Sequence, residues 1–137
     1  MQQTDQRPPA TLAGLRAVHC DPLILAVKVD GTPMKGLTGR IDWRLGGLIS
    51  GMVKAGTMKH DEPLLRPAHP LLPCGRLLLW RLGAATPRDM AECIRGLDGT
   101  NPGICPEDFE FSADEVRSAF GGQITVYREP VLEPSEN

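Results

Sequence analysis

Aromatic side chains are scarce in this sequence: two tryptophans, one tyrosine and three phenylalanines in 137 residues. Histidine is scarcer still, with only His19, His60 and His69. No apolar run approaches the 18 or so residues that cross a bilayer. The opening "MQQTDQRPPA" lacks the basic-then-apolar layout of a secretory signal. These absences predict a cytoplasmic chain with no membrane partner. The four cysteines, Cys20, Cys74, Cys93 and Cys105, contain no close CxxC or CxxxxC pair, which excludes the usual structural zinc site. A disulfide framework calls for a secreted context, so reduced and mostly buried thiols are expected. An excess of positive charge is also missing. The net charge is −2 and the isoelectric point about 5.9, whereas a dedicated nucleic-acid binder is strongly basic.

Glycine (15) and proline (13) are abundant, which implies short elements and many turns. At this length, with 41% hydrophobic and 23% charged residues, the chain can bury the core of one domain. Charge is unevenly spread. Residues 35–81 hold eight basic and three acidic groups, and residues 86–137 hold four basic and eleven acidic ones. Opposed charge of this kind suits folding of the two segments against each other, or contacts between subunits.

"DPLILAVKVDG" is the clearest strand, since Leu23 to Val29 is almost continuously apolar and is bounded by Pro22 and Gly31. A run apolar on both faces suits a sheet covered on both sides. "GRLLLWRLG" gives a second buried strand over Leu77–Leu82, and "GLRAVHC" reads as a short strand. "EPLLRPAHPLLP" has four prolines within residues 63–73 and leaves room only for an edge strand around Leu64 and Leu65.

In "IDWRLGGLISGMVKAG", residues 41–56, Ile41, Leu45, Leu48 and Met52 fall on one face of a helix. Thr38 or Asp42 can cap its start and Gly56 its end. Gly46 and Gly47 then lie in mid-helix, where each costs roughly 1 kcal/mol against alanine. Thr86-Pro87-Arg88-Asp89 and Ser112-Ala113-Asp114-Glu115 are capping-box starts for two more helices, the second stopping at Gly121-Gly122. Between them "GLDGTNPGICPED" reads as a turn-rich loop, and "QITVY" as a last strand. The order of elements points to an α/β fold in three layers, α/β/α, with a mixed but mostly parallel sheet. The expected organisation is a disordered lead-in over 1–12, one domain over 13–129 and an acidic tail over 130–137.

Sites of known chemistry are not found. "GGLISGMV" has GxxxxG spacing without the Lys-Ser/Thr of a phosphate loop, and no GxGxxG follows either strong strand. His60, Asp61 and Glu62 are consecutive, so in an extended loop their side chains alternate in direction. Ser50 fails the GxSxG elbow, and His19 and Cys20 would point to opposite faces of a strand. Asp89, Asp114 and Glu115 are accounted for as helix-start acids. No catalytic residue, metal ligand or cofactor is expected on these grounds.

The segments "LAVKVDGTPMKG", "IDWRLGGLISGMVKAGTMKHDE", "PLLRPAHPLLPCG" and "RLLLWRLG", in that order, resemble the N-terminal domain of the leucyl aminopeptidase family. The likeness runs from about residue 22 to 84, and "TPRDM" stands where that family begins a helix. It implies a macro-domain-like fold, with the paired glycines letting the helix lie close to the sheet. The family's metal-binding lysine, aspartates and glutamate, including "NTDAEGRL", belong to a separate catalytic domain with no counterpart here. The resemblance therefore implies a non-catalytic domain acting by self-association or on another protein subunit. The alternative it raises is binding or hydrolysis of ADP-ribose or a related nucleotide, since macro domains hold a diphosphate in glycine-rich loops after their strands. "DGTPMKG" and "LGAATP" are the candidate loops, with few aromatics available to stack an adenine.

Overall fold

The two apolar runs lie side by side at the centre of a five-stranded sheet. The computed structural model describes residues 6–98 and 100–130. Strand β1 (Leu23–Val27) pairs in parallel with β3 (Leu77–Arg81), from Leu23 against Leu77 to Val27 against Arg81. On its other side β1 pairs in parallel with β4 (Gly103–Ile104), which in turn pairs in parallel with β5 (Thr125–Val126). The proline-flanked β2 (Leu64–Arg66) runs antiparallel to β3 at the edge, so the order is β2-β3-β1-β4-β5. The α/β expectation holds, including its mixed, mostly parallel sheet.

Alternation along the strands feeds two cores. Leu23, Leu25, Val27, Leu77 and Leu79 pack with Leu15 of α1 (Leu12–Ala17), Leu37 and Ile41 of α2 (Gly36–Arg44), and Ile49 of α3 (Leu48–Lys54). Ile24, Ala26, Leu78, Trp80 and Ile104 pack with Met90 and Ile94 of α4 (Pro87–Arg95), Phe109 of a 3-10 turn (Pro106–Phe109) and Val116 of α5 (Ala113–Ala119). Each fully buried leucine or isoleucine contributes about 1.5–3 kcal/mol of transfer free energy. Helices cover both faces, and the three layers are in place.

The expected helix over 41–56 is two helices. Gly46 and Gly47 have φ of 69° and 86°, the left-handed region that favours glycine. A Cβ on either would meet nothing within 4 Å, so close packing on the sheet does not explain the pair. They turn the chain instead. Asp42 of α2 then caps α3: its Oδ1 accepts from the N–H of Ile49 (2.7 Å) and of Ser50 (3.1 Å), and the Ser50 hydroxyl donates to Oδ2. Thr38 caps nothing; it lies inside α2 with a buried hydroxyl that has no partner.

Three further expectations change. "GLRAVHC" contributes to helix α1, whose Thr11 hydroxyl accepts from the Gly14 N–H at 3.1 Å. Strand β4 lies inside the segment read as loop; two residues are too few for a periodic signal. Residues 7–12, read as part of the lead-in, are packed, with Pro9 bridged to Arg128 and Ala10 fully buried. Residues 1–5 and 131–137, the remainder of the lead-in and most of the acidic tail, lie outside the described residues. Among the described residues no helix is long and apolar enough to cross a membrane.

Candidate functional site

The chain leaves β1 toward β3 on one side and returns through α4 to β4 on the other. The crevice beyond the carboxyl ends of β1 and β4 is therefore the topological switch point, where open α/β sheets bind ligands. Both glycine loops singled out from the sequence reach this edge. "DGTPMKG" follows β1, and "LGAATP" follows β3. The Leu82 N–H donates to the Val27 carbonyl at 2.9 Å, so the two loops start side by side although about fifty residues separate them. In the first loop Asp30 accepts from the Thr32 N–H (3.0 Å) and hydroxyl (2.6 Å), which holds its carboxyl below the usual range. Gly31 and Gly83 both have φ of 87°, with open space where a side chain would stand.

The edge already carries an anion. Helix α2 begins without a capping side chain of its own, and Asp108 of the 3-10 turn supplies one by accepting from the Leu37 N–H at 2.9 Å. Gly36, at φ 61°, makes room for it; a Cβ there would collide with the Asp108 carboxylate. Burial pushes the Asp108 carboxyl up to about 6, outweighing the Leu37 N–H that favours its ionised form. Around it, Arg40 donates to Glu129 (2.6 Å) and to the Ala10 carbonyl (3.1 Å), and Arg7 pairs with Glu107 at 3.2 Å.

Donor atoms of Cys105, Asp108 and Glu129 lie within 4.8 Å of one another, a set that the sequence reading missed. Its charges are already answered by the protein: Arg40 holds Glu129 and the α2 N-terminus holds Asp108. Burial, with Asp108 and Glu107 nearby, pushes the Cys105 thiol far above its ordinary value and disfavours the thiolate that a metal would need. The only cue in the sequence was an acidic pair after Pro106 in a segment read as loop.

The remaining residues considered from the sequence stand apart. His60, Asp61 and Glu62 are exposed. Asp89 and Glu115 complete capping boxes with Thr86 and Ser112. Ser50 is engaged with Asp42 and borders a different cleft, on the outer side of α2.

That outer side has two adjoining clefts. One, of about 690 Å³, is lined by Leu12, Met34, Gly36, Arg40, Trp43 and Arg44 among others. The second, of about 510 Å³, shares Met34, Gly39 and Trp43 and extends to Pro33, Asp42 and Ser50. Trp43 is 88% exposed, the most exposed large apolar side chain described. Sequence reasoning counted it only as one of few aromatics.

No protein-family model and no curated protein matches the chain. Among solved structures, the macrodomain of Mycobacterium tuberculosis DarG is similar over 96% of this chain and 96% of its own, with a TM-score of 0.56 at 14% identity. The macro-domain-like fold that the resemblance implied is found, but nothing supports a leucyl aminopeptidase N-terminal domain, and the reading as an oligomerisation or regulatory module is overturned by the likeness to a macrodomain over 96% of the chain. Strand, turn and paired-glycine patterns shared by α/β domains carried that resemblance, and the glycine pair proves to be a turn between helices. At 14% identity the likeness shows the fold: this chain has a macrodomain-like fold.

Proposed function

We propose that the protein binds ADP-ribose or a closely related nucleoside diphosphate at the carboxyl edge of β1 and β3. The observation that carries this reading is the placement of the two glycine turns, 30–36 and 82–87, at neighbouring parallel strand ends beside the switch point of a macrodomain-like fold. A diphosphate at that edge needs N–H donors and positive charge. Each described α-helix already gives a first-turn N–H to a side chain of the protein itself: Thr11, Asp108, Asp42, Thr86 and Ser112. The phosphates are then held by loop N–H groups around Gly31 and Gly83, with Lys28 just before the first loop and Lys35 within it. No ion pair among the described residues engages either lysine.

The test is a calorimetric titration of the folded chain with ADP-ribose near pH 7.5. Saturable binding in the micromolar range, weakened by Lys28→Ala/Lys35→Ala, is the expected result. Absence of heat from a sample with an intact circular dichroism spectrum refutes the reading.

A further inference from the structure

The outer face of α2 leaves a large apolar side chain without cover. Trp43 is 88% exposed and stands between two clefts that share Met34 and Gly39. Covering an indole removes on the order of 200 Å² from water, and an exposed apolar patch rimmed by polar groups marks an interaction surface. Two cations frame this one. Arg40 and Arg44, one helical turn apart, line the first cleft together with Trp43. Arg40 is already paired, donating to Glu129 at 2.6 Å. Arg44 is exposed; its Nε donates to the Leu71 carbonyl at 3.3 Å, and among the described residues it forms no ion pair.

The Glu129 contact brings the end of the described chain to this face. Pro9 bridges to Arg128 in parallel, and the Ala10 N–H donates to the Arg128 carbonyl at 2.7 Å. That parallel run directs Pro130, the last described residue, toward Thr11 and Leu12, and Leu12 lines the first cleft. Beyond it the sequence is Val131-Leu132-Glu133-Pro134-Ser135-Glu136-Asn137, two apolar side chains followed by two acids. From this arrangement we infer that segment 131–137 docks on the outer face of α2. Val131 and Leu132 cover Trp43 and Met34, and Glu133 meets Arg44. The reach is sufficient. Four extended residues from Glu129 span about 13 Å, whereas Arg44 lies only about 6 Å beyond Arg40 along the helix axis. The slack lets the chain pass over the indole, and Pro134 biases Glu133 toward extended backbone. The other end of the chain does not suit this face. Residues 1–5 offer one apolar side chain, Met1, and they lead in past Arg7, which is held by Glu107 and the Tyr127 carbonyl. The inference does not depend on the nucleotide reading.

Tryptophan emission from the full chain tests the docking. A Trp43→Phe variant supplies the contribution of Trp80, which is buried in the other core. Acrylamide quenching and the emission maximum of Trp43 are compared in the parent chain, Val131→Ser/Leu132→Ser, Arg44→Glu and Arg44→Glu/Glu133→Lys. The tail substitutions leave every described core residue in place, and circular dichroism checks that Arg44→Glu is folded. Expected in the parent is an indole partly shielded from acrylamide, to the same degree when the protein is diluted. Losing both apolar side chains lifts the segment away, so in Val131→Ser/Leu132→Ser the quenching constant should rise about twofold or more, with a red shift. Arg44→Glu should move in the same direction, and the charge swap in Arg44→Glu/Glu133→Lys should restore the shielding. A parent Trp43 quenched like a free indole overturns the inference. So does shielding that survives Val131→Ser/Leu132→Ser, and shielding that disappears on dilution, which marks a second copy as the cover.

Discussion

Gly47→Ala and Gly51→Ala should move stability in opposite directions, although both glycines fall in one stretch of helical periodicity. Gly47 has φ of 86° and open space where a Cβ would go. Alanine there therefore meets no clash, and the whole effect is the cost of holding an L-residue left-handed, about 1–2 kcal/mol. Gly51 lies within α3 with an unremarkable φ, and a Cβ on it also meets nothing within 4 Å. Alanine there lowers the entropy of the unfolded chain and should stabilise by about 0.5–1 kcal/mol. The predicted separation between the two variants is thus about 2 kcal/mol. In a domain of this size that is on the order of 6–8 °C in melting temperature. Urea unfolding followed by circular dichroism measures it directly. If both variants gain stability, the segment is one continuous helix and the turn at Gly46-Gly47 is wrong.

Asp108 should give the fold a pH dependence. Its folded pKa is raised to about 6 from 3.8, so the folded state holds the proton more tightly than the unfolded chain does. The associated stability is complete below about pH 4 and is lost as pH rises through 6. The full shift corresponds to about 3 kcal/mol, reduced to on the order of 2 for a carboxyl that still meets solvent. Asp108→Asn, which mimics the protonated form, should therefore gain on the parent protein by that amount between pH 4 and pH 7; a difference constant across this range refutes it. Thiol titration of the native protein with an aromatic disulfide reagent should modify Cys93 first. That side chain is half-buried, whereas burial pushes Cys20 up to about 12 and Cys74 to about 11. Prompt reaction of Cys20 before unfolding would contradict its complete burial, in which its side chain and the Tyr127 ring lie so close to Gly103 that a Cβ there would collide with both.

The sequence by itself determined the fold class and most of its elements. Leu23–Val27 and Leu77–Arg81 are legible as central strands because both of their faces are apolar. The α4 and α5 starts are legible because a capping box is a local hydrogen-bond arrangement that needs no distant partner. The glycine loops after the strong strands were legible for the same reason, since their turns follow from adjacent residues. Tertiary structure decided the rest. Whether Gly46-Gly47 interrupts a helix depends on where α3 must lie to bury Ile49, and helical periodicity continues across the break. Strand β4 exists because β1 and β5 hold it on either side. Asp108 reaches the start of α2 from 71 residues away, and Trp43 is left exposed only because Leu37 and Ile41 take the inward face of the same helix. Such relations join positions far apart in the chain, and only packing brings them together.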